Sequence, residues 1–347
     1  MRYLIIRLSA FGDVAMTIPV LYAVAKANPQ HSFTFLTRPE LTGLLLQAPG
    51  NVESMGIDIK RDERRLPGLL RYTSRLAEEK FDKVIDLHNV LRSKIIRIAL
   101  RLRGVKSKHL HKPRKAWALL TAYPPLKHKM KLCSMVERYA NVVRSAGLHF
   151  ELPNDNIPTI CIPQSDIRVV EERLGILPSE RISCRIGIAP FAAHDLKTYP
   201  IDRMQILVEK LSSLDNVDII LFGAKGKEQD VLNEWAEKYP NCFSLAGKLS
   251  LPEELAIMQT LKCMVSMDSA NMHFASLLGI RVVSIWCATH PYAGFLGYGQ
   301  KEEDVITLDM PCSPCSTFGN KPCRRHDAAC KNIDVELIYK HLVENCL

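Results

Sequence analysis

An acid that follows a buried strand is the first candidate for chemistry in this sequence. Asp13 comes after the apolar run Arg2–Leu8, which lacks a helical period and predicts a strand, and after the tight turn Ser9–Gly12. A helix is predicted to begin at Asp13. Because ligands bind at the carboxyl ends of strands in open α/β sheets, Asp13 is a candidate site residue. The alternative is that Asp13 serves only as the N-cap of the helix.

A second group of small and polar residues opens a helix later in the chain. The sequence DSANMH follows the predicted strand Cys263–Met267, and its candidate binding residues are Asp268, Ser269, Ala270, Asn271 and His273. Small residues at a helix start let a phosphate approach backbone N–H groups, and the helix dipole favours its negative charge. The alternative is that Asp268 caps the helix while His273 packs on the sheet.

A lysine in the loop after another predicted strand is the third candidate. Arg185–Ala189 predicts a strand, and Lys197 lies in the loop that follows it. A lysine there can reach phosphate oxygens as a point charge. The alternative is an ordinary solvated lysine.

Positive charge is concentrated in one stretch. The net charge is +9, yet Leu87–Val136 contains no Asp or Glu, so the rest of the chain carries −4. The stretch holds thirteen cations: Arg92, Lys94, Arg97, Arg101, Arg103, Lys106, Lys108, Lys112, Arg114, Lys115, Lys127, Lys129 and Lys131. This pattern indicates an anionic partner at one face, and the alternative is a solvated basic face. Nucleic acid is disfavoured, because Trp117 and Tyr123 are the only large aromatic residues of the stretch that could stack on bases.

Four of the eleven cysteines cluster near the C-terminus. Cys312, Cys315, Cys323 and Cys330 have spacing that approaches that of a zinc site, with His326 between the last two. Structural Zn²⁺ and free, redox-labile thiols are the two interpretations. Eleven cysteines in a chain of this length favour reduced thiols over a disulfide framework.

The candidates must be positioned by an α/β fold. Apolar strands alternate with helical patterns twice along the 347 residues, which predicts two Rossmann-like units with doubly wound parallel sheets, facing across a cleft. The expected division is residues 1–160 and 161–347, with a proline-spaced linker between Pro153 and Pro163 and a Cys-rich loop at 311–331. Neither half contains the glycine fingerprint of dinucleotide binding or a P-loop.

Composition is typical of a globular protein without membrane spans. Hydrophobic residues make up 47% and charged residues 24%. No apolar run reaches the roughly 18 residues that span a bilayer. Arg7 and Asp13 interrupt the apolar start, so a secretory signal is not expected. The expected location is therefore the cytoplasm.

Four segments together resemble glycosyltransferase family 9, the lipopolysaccharide heptosyltransferases of GT-B fold. They are RLSAFGDVAMTIP at the start, DLHNVLRS at Asp86–Ser93, KTYP at Lys197–Pro200 and SMDSANMH at Ser266–His273. The resemblance covers nearly the whole length. It implies inverting transfer of heptose from ADP-heptose to the inner core of lipopolysaccharide, by an enzyme at the cytoplasmic face of the inner membrane.

The resemblance also implies roles for individual residues. Asp13 matches the general base, and Lys197 matches the lysine that contacts the donor phosphates. Asp268, Ser269, Ala270 and His273 match the donor-binding turn, in which Asn271 also lies. On the acceptor side, the expected residues are Ser9, Gly12, His88, Arg92, Arg114 and Lys115.

Departures from the family pattern leave the identity of the donor open. Ala270 replaces a glycine, Ala192 and Ala193 stand where hydroxyl residues are common, and Lys225 stands where an acid is common. No cofactor is expected to be required, although Mg²⁺ at the donor phosphates and Zn²⁺ at the cysteines are options. The expected partners are ADP-heptose or another nucleotide sugar, a lipid-linked saccharide and an anionic membrane, without nucleic acid. The alternatives are a sugar-nucleotide epimerase of the same fold and a non-catalytic binder of an anionic polymer.

Overall fold

Two parallel β-sheets organise the chain, one in each of two units. The computed structural model describes residues 1–153, 158–176 and 184–347. The first unit comprises Met1–Lys112 and Ser134–Asn154, and the second comprises Pro113–Cys133 and Asp155–Leu347. The predicted α/β class with two parallel sheets is confirmed.

The first unit contains a five-stranded sheet with the order β3-β2-β1-β4-β5. Its strands are β1 (Arg2–Ile6), β2 (Ser32–Thr37), β3 (Val52–Gly56), β4 (Lys83–Asp86) and β5 (Lys106–His109). Its helices are α1 (Phe11–Ala15), α2 (Ile18–Ala27), α3 (Leu66–Glu78), α4 (Leu91–Arg101) and α6 (Met135–Arg144). Leu4, Ile5 and Ile6 of β1 are fully buried, as expected for a central parallel strand covered on both faces.

The second unit contains a six-stranded sheet with the order β11-β10-β9-β6-β7-β8. Its strands are β6 (Cys184–Ala189), β7 (Val217–Leu221), β8 (Cys242–Ser244), β9 (Cys263–Met267), β10 (Arg281–Trp286) and β11 (Val305–Thr307). Its helices are α5 (Arg114–Leu120), α7 (Gln164–Leu174), α8 (Ile201–Ser212), α9 (Lys227–Lys238), α10 (Leu251–Met258), α11 (Ala270–Leu277) and α12 (Val335–Asn345). No helix in the described ranges is long and apolar enough to cross a membrane.

Each sheet reverses its strand order at the place where the candidate residues lie. In the first sheet β1 pairs with β4, and Ile6 is opposite Asp86. In the second sheet β6 pairs with β9, and Ala189 is opposite Ser266. Since the neighbouring strands are parallel, the loops that leave their carboxyl ends lie side by side. Such switch points are the usual ligand sites of open α/β sheets.

The observed division differs from a single boundary after residue 160, because Pro113–Cys133 packs with the second unit. The indole of Trp117 donates a hydrogen bond to the carbonyl of Ala293 at 3.0 Å. The ammonium of Lys127 donates to the carbonyl of Pro314 at 2.6 Å. The predicted linker between Pro153 and Pro163 lies partly outside the described residues.

The basic stretch, which the sequence suggested as one local feature, is divided between the two units. Arg92–Lys112 belongs to the first unit and Arg114–Lys131 to the second. Some of its cations are engaged internally: Lys129 pairs with Asp309, and Lys131 pairs with Glu302. Lys127 binds backbone carbonyls. These groups serve the fold of the second unit as well as its surface charge.

Candidate functional site

Asp13 lies inside the first turn of α1 and is not its N-cap. The helix begins at Phe11, its N-cap is Ala10, and Asp13 is its third residue. The carboxylate Oδ2 accepts a hydrogen bond from the backbone N–H of Ala10 at 3.2 Å. The predicted cap position is therefore wrong, because Phe11 and Gly12, expected in a turn, are already helical. Asp13 still satisfies a backbone donor at the helix start, as an acid at this position does in a capping box.

A buried cation and a buried phenol hold the carboxylate of Asp13. The guanidinium of Arg7 lies 2.6 Å from Oδ2, with side-chain exposures of 5% for Arg7 and 23% for Asp13. The hydroxyl of Tyr139 donates to Oδ1 at 3.3 Å. The Arg7 guanidinium also lies 5.4 Å from the centre of the Tyr139 ring. The carboxylate is thus fixed in orientation while part of it still faces solvent.

The electrostatics keep Arg7 charged and Tyr139 neutral. Burial alone would lower the pKa of Arg7, but the negative charge of Asp13 outweighs it, so that the net shift of the pKa is upward. Burial raises the pKa of the Tyr139 hydroxyl. An adjacent cation favours the ionised form of a carboxylate, which is the form that can accept a proton.

The loop after β4 brings His88 beside Ser9. Asp86 is fully buried, and its Oδ1 accepts hydrogen bonds from the backbone N–H groups of His88 at 3.0 Å and Asn89 at 2.7 Å. The Nε2 of His88 lies 3.4 Å from the hydroxyl of Ser9. Burial, followed by the charges of Arg7 and other cations, lowers the pKa of His88 to about 3. His88 is therefore a neutral hydrogen-bonding group near pH 7.

The structure brings together some of the residues predicted on the acceptor side. Ser9, Gly12 and His88 gather around Asp13 at the switch point of the first sheet, a group we call the Asp13 cluster. Arg92 is half-buried in the first turn of α4, which follows the His88 loop. Arg114 and Lys115 are exposed on α5, which belongs to the second unit, and are not part of this cluster.

Lys197 and Asp268 form an ion pair at the switch point of the second sheet. Their Nζ and Oδ2 atoms are 2.8 Å apart, and the two side chains are 15% and 7% exposed. Lys197 ends a short 3₁₀ turn in the loop after β6, and Asp268 directly follows β9. The adjacency of these two strands places both residues together. We call this group, with the first turn of α11, the Lys197 cluster.

The start of α11 differs in one respect from the expectation. The N-cap is Ser269, in an extended conformation, so Asp268 precedes the cap and is free to pair with Lys197. The hydroxyl of Ser269 lies 3.1 Å from that of Ser266. Ala270 and Asn271 form the first turn, whose N–H groups have no partner within a helix and attract anions. His273 is buried, as are the residues that follow it in α11.

The remaining residues predicted for this site lie on neighbouring loops. Ala192 is half-buried against the core of the second unit, and Ala193 is exposed. Their methyl groups offer no hydrogen bond, so a phosphate in this loop depends on backbone N–H groups and on Lys197. Lys225 is exposed in the loop after β7.

None of the four clustered cysteines forms a disulfide within the part of the chain that the structure describes. Cys330 is buried, and Cys312, Cys315 and Cys323 are half-buried. Within the part of the chain that the structure describes, no three His, Cys, Asp or Glu side chains are grouped closely enough to hold a metal ion. Burial and the neighbouring cysteines raise the pKa of Cys315 and raise that of Cys330 to about 11. The zinc hypothesis stays a prediction, to be tested by metal analysis.

Sequence reasoning missed three residues that complete the two clusters. Arg7 and Tyr139 hold Asp13, and Ser266 contacts Ser269. The sequence could have indicated Arg7, because a charged residue inside an apolar strand is uncommon and needs a partner. Nothing in the local sequence marks Tyr139, which is 126 positions away from Asp13.

Known proteins with similar sequences and structures agree with this architecture. The lipopolysaccharide heptosyltransferase 1 of Campylobacter coli is 24% identical over 304 residues, which cover 84% of this chain and 85% of the relative. A family 9 glycosyltransferase from Veillonella parvula superposes with a TM-score of 0.73 at 19% identity, covering 99% of this chain and 96% of the other. The E. coli heptosyltransferase WaaC with ADP superposes with a TM-score of 0.68 at 19% identity, covering 99% and 100%.

The model of one protein family matches most of the chain. The family is described as glycosyltransferase family 9 (heptosyltransferase), and the match spans residues 69–323. It includes the loops that carry His88, Lys197 and Asp268. The chain belongs to glycosyltransferase family 9.

Proposed function

We propose that this protein transfers heptose from ADP-heptose to the inner core of lipopolysaccharide, with inversion at the anomeric carbon. The observation that carries the proposal is the Lys197–Asp268 pair at the start of α11, a cation beside the first turn of a helix at a sheet switch point. Such a combination suits a diphosphate. The heptosyltransferase names of the relatives, one of which was solved with ADP, favour ADP-heptose as the donor.

The Lys197 cluster stabilises the leaving group. When the bond between the sugar and the diphosphate breaks, negative charge grows on the phosphate oxygens. Preorganised donors lower the barrier most when they face the atoms on which charge develops. Asp268 holds the ammonium of Lys197 in place, and the first-turn N–H groups of α11 are fixed by the helix.

The Asp13 cluster activates the acceptor. The acceptor hydroxyl oxygen attacks the anomeric carbon, its proton passes to the carboxylate of Asp13, and ADP leaves with the bonding electron pair. Arg7 and Tyr139 orient the carboxylate so that it needs little rearrangement when the proton arrives. A single displacement of this kind inverts the configuration of the sugar.

The residues of the Lys197 cluster do not by themselves form a magnesium site. Mg²⁺ prefers octahedral oxygen coordination, and the carboxylate here, Asp268, is already paired with Lys197. A magnesium ion at the donor would be held chiefly by the phosphates. Lys197 supplies the positive charge that the departing diphosphate needs.

A face of the second unit suits contact with an anionic membrane. Leu119, Tyr123, Leu126 and Met130 are exposed, and Leu126 is 72% exposed. Arg114, Lys115 and Lys129 are exposed in the same segment, and the exposed Lys321 and Arg324 line a cavity together with Tyr123 and Leu126. We call this surface the α5 face. Apolar side chains among cations are typical of surfaces that insert into the headgroup region of anionic lipid, and a membrane-bound acceptor would then be presented at that surface.

The test of the proposed reaction is transfer from ADP-heptose to a lipid-linked inner-core acceptor, followed by mass spectrometry of the product. The expected result is one heptose added per acceptor, with ADP released in equal amount. UDP- and GDP-sugars serve as competing donors. Conversion of the nucleotide sugar without acceptor would instead support an epimerase, and the absence of both reactions would support a non-catalytic binder.

Two matched variants connect the activity to the Lys197 cluster. Lys197→Met removes the charge but keeps the length of the side chain, so we expect weaker ADP binding and slower transfer. Lys210→Met removes a half-buried lysine of α8 that pairs with Glu336 on the same unit, and should leave both unchanged. Equal effects of the two variants would contradict the role of Lys197.

A further inference from the structure

The Cys-rich loop, residues 311–331, packs on the stem of Lys197 through a glycine. A β-carbon built on Gly319 would overlap Cγ of Lys197 and lie 2.7 Å from its Cδ. The backbone of the loop therefore packs against the middle of this side chain, so closely that a β-carbon at position 319 would force the loop or the lysine stem to shift. Gly319 also has a φ of +71°, a conformation that glycine adopts readily.

The same loop is attached to the two residues that precede Lys197, Asp195 and Leu196. The carbonyl of Ala288, which follows β10, accepts hydrogen bonds from the N–H groups of Cys315 at 3.1 Å and Ser316 at 3.2 Å. The N–H of Ala288 in turn donates to the carbonyl of Leu196 at 3.0 Å. Lys331, at the other end of the loop, forms an ion pair with Asp195 at 3.0 Å. These contacts fix the position of the loop relative to the turn that carries Lys197.

An aromatic cluster fixes the part of the loop that carries Gly319. The ring of Phe318 meets the rings of Trp117 and Phe295 edge-on, at centroid distances of 5.4 Å and 5.7 Å. Trp117 is anchored by its hydrogen bond to Ala293. The contacts of Phe318 and the hydrogen bonds of Cys315 and Ser316 to Ala288 thus fix the chain that leads into Gly319.

We infer that Gly319 is a positioning residue for the donor: it lets the Cys-rich loop hold the Lys197 stem so that the ammonium stays at Asp268, ready for the diphosphate. A lysine with a free stem would spread its charge over several rotamers, and each rotamer would have to be lost on binding. The inference rests on the proposed role of Lys197. It assigns a function in donor binding to a loop that the sequence suggested only as a metal or thiol site.

The test compares two glycines of similar backbone conformation. Gly319→Ala should weaken ADP binding roughly tenfold or more, the scale of a misplaced charge-assisted hydrogen bond. Gly175→Ala is the control, since Gly175 has a φ of +67° and an added β-carbon there would meet nothing within 4 Å. Both variants carry the strain of a positive φ, so both should lose thermal stability. Only Gly319→Ala should lose affinity for ADP, measured by calorimetry.

A double-mutant cycle separates positioning from a general structural effect. In the Lys197→Met background, Gly319→Ala should cause no further loss of ADP affinity, because the charge that it misplaces is already gone. Losses that add independently would overturn the inference. In the transfer assay the KM for the donor should rise, while the KM for the acceptor stays unchanged.

Two further outcomes are informative. If Lys197→Met weakens ADP binding but Gly319→Ala does not, the positioning role is refuted and the role of Lys197 stands; if Lys197→Met itself binds ADP normally, both are refuted. Should Gly319→Ala fail to fold, Gly319→Asn and Gly175→Asn form a second pair. Asparagine tolerates positive φ better than alanine but still adds the β-carbon.

Discussion

Arg7 and Asp13 form a 2.6 Å ion pair in which the guanidinium is almost fully buried and the carboxylate is partly exposed. The pair joins the end of β1 to the first turn of α1, and Tyr139 of α6 completes it. A buried arginine needs a partner, because an uncompensated buried charge is strongly destabilising. Asp13 therefore supports the fold and, in our proposal, also accepts the proton of the acceptor. The two roles can be separated by experiment.

Asp13→Asn keeps the shape and hydrogen-bonding oxygen of the side chain but cannot accept the proton. We expect transfer to fall by about 10²–10⁴-fold, the usual contribution of a general base. We also expect a loss of about 1–3 kcal/mol in the free energy of unfolding, because Arg7 loses its charged partner. ADP binding should be unchanged, since Asp13 lies in the first unit. Initial rates and urea unfolding measure the two effects.

The control for this variant is Asp82→Asn, which makes the same substitution just before β4, at the amino ends of the parallel strands and away from the carboxyl ends where Asp13 lies. It should leave transfer near the wild-type rate. If Asp13→Asn is destabilised yet transfers heptose as fast as wild type, Asp13 is a structural residue and the proposed mechanism is wrong.

His88 should make the stability of the protein depend on pH. Its pKa is about 3 in the folded state, because of burial and the charge of Arg7, against about 6.5 when unfolded. Between these values the unfolded chain binds the extra proton, so stability is complete above about pH 6.5 and falls as pH decreases toward 3. From pH 7.5 to 5.5 the expected loss from this one group is about 1 kcal/mol.

The contribution of His88 is measured as a difference between variants. Urea unfolding at pH 7.5 and 5.5 should show a smaller pH dependence for His88→Gln than for wild type, by about that amount. His149→Gln replaces an exposed histidine of the same unit and should preserve the wild-type dependence. The burial argument fails if His88→Gln and wild type lose the same stability on acidification.

The central strands and the residues that follow them could be predicted from local sequence. Apolar runs such as Arg2–Leu8 and Cys263–Met267 mark buried parallel strands, and the polar residues after them fall at the strand ends. That pattern led to Asp13 and Asp268. The short edge strands β3, β8 and β11 were missed, because their sequences VESMG, CFS and VIT contain no continuous apolar run of strand length.

What the sequence could not predict depends on contacts between distant segments. The partner of Asp13 on α6 and the packing of Gly319 on Lys197 join residues 126 and 122 positions apart. The packing of Pro113–Cys133 with the second unit depends on the hydrogen bonds of Trp117 and Lys127, which no local sequence pattern indicates. The exact start of α1 also could not be predicted. Asp13 lies three residues after the N-cap, and sequence signals for helix boundaries are not precise enough to distinguish that position from the N-cap itself.

Metal analysis decides between the two interpretations of the cysteines. If Cys312, Cys315, Cys323 and Cys330 hold a metal, protein purified without added metal should contain close to one metal ion per chain, as measured by elemental mass spectrometry. The raised pKa values of Cys315 and Cys330 describe protonated thiols, and a metal ion would have to displace those protons. Cys184, which is buried in β6, offers a control variant that should retain any metal. A content near zero under reducing conditions would leave the loop as thiols.

The α5 face should bind anionic membranes through its charges and its apolar side chains together. Reversing the charges in Arg114→Glu/Lys115→Glu should weaken binding to vesicles that contain anionic lipid by at least about tenfold, since each cation near such a surface contributes about 1 kcal/mol. The effect should shrink as salt rises, because exposed charges are screened. Leu126→Gln should instead weaken binding at every salt concentration, since it removes apolar contact.

A matched control tests whether the location of the charges matters. Lys94→Glu/Arg101→Glu reverses two exposed cations of the same basic stretch, but on α4 of the first unit. We expect vesicle sedimentation to show a much smaller loss for this variant than for Arg114→Glu/Lys115→Glu, and ADP binding to be normal in both. Equal losses would mean that net charge alone drives adsorption, and the α5 face would not be a docking surface. Loss of ADP binding in the α5 variant would mean that the substitution had disturbed the second unit, whose Cys-rich loop packs on Trp117 and Lys197.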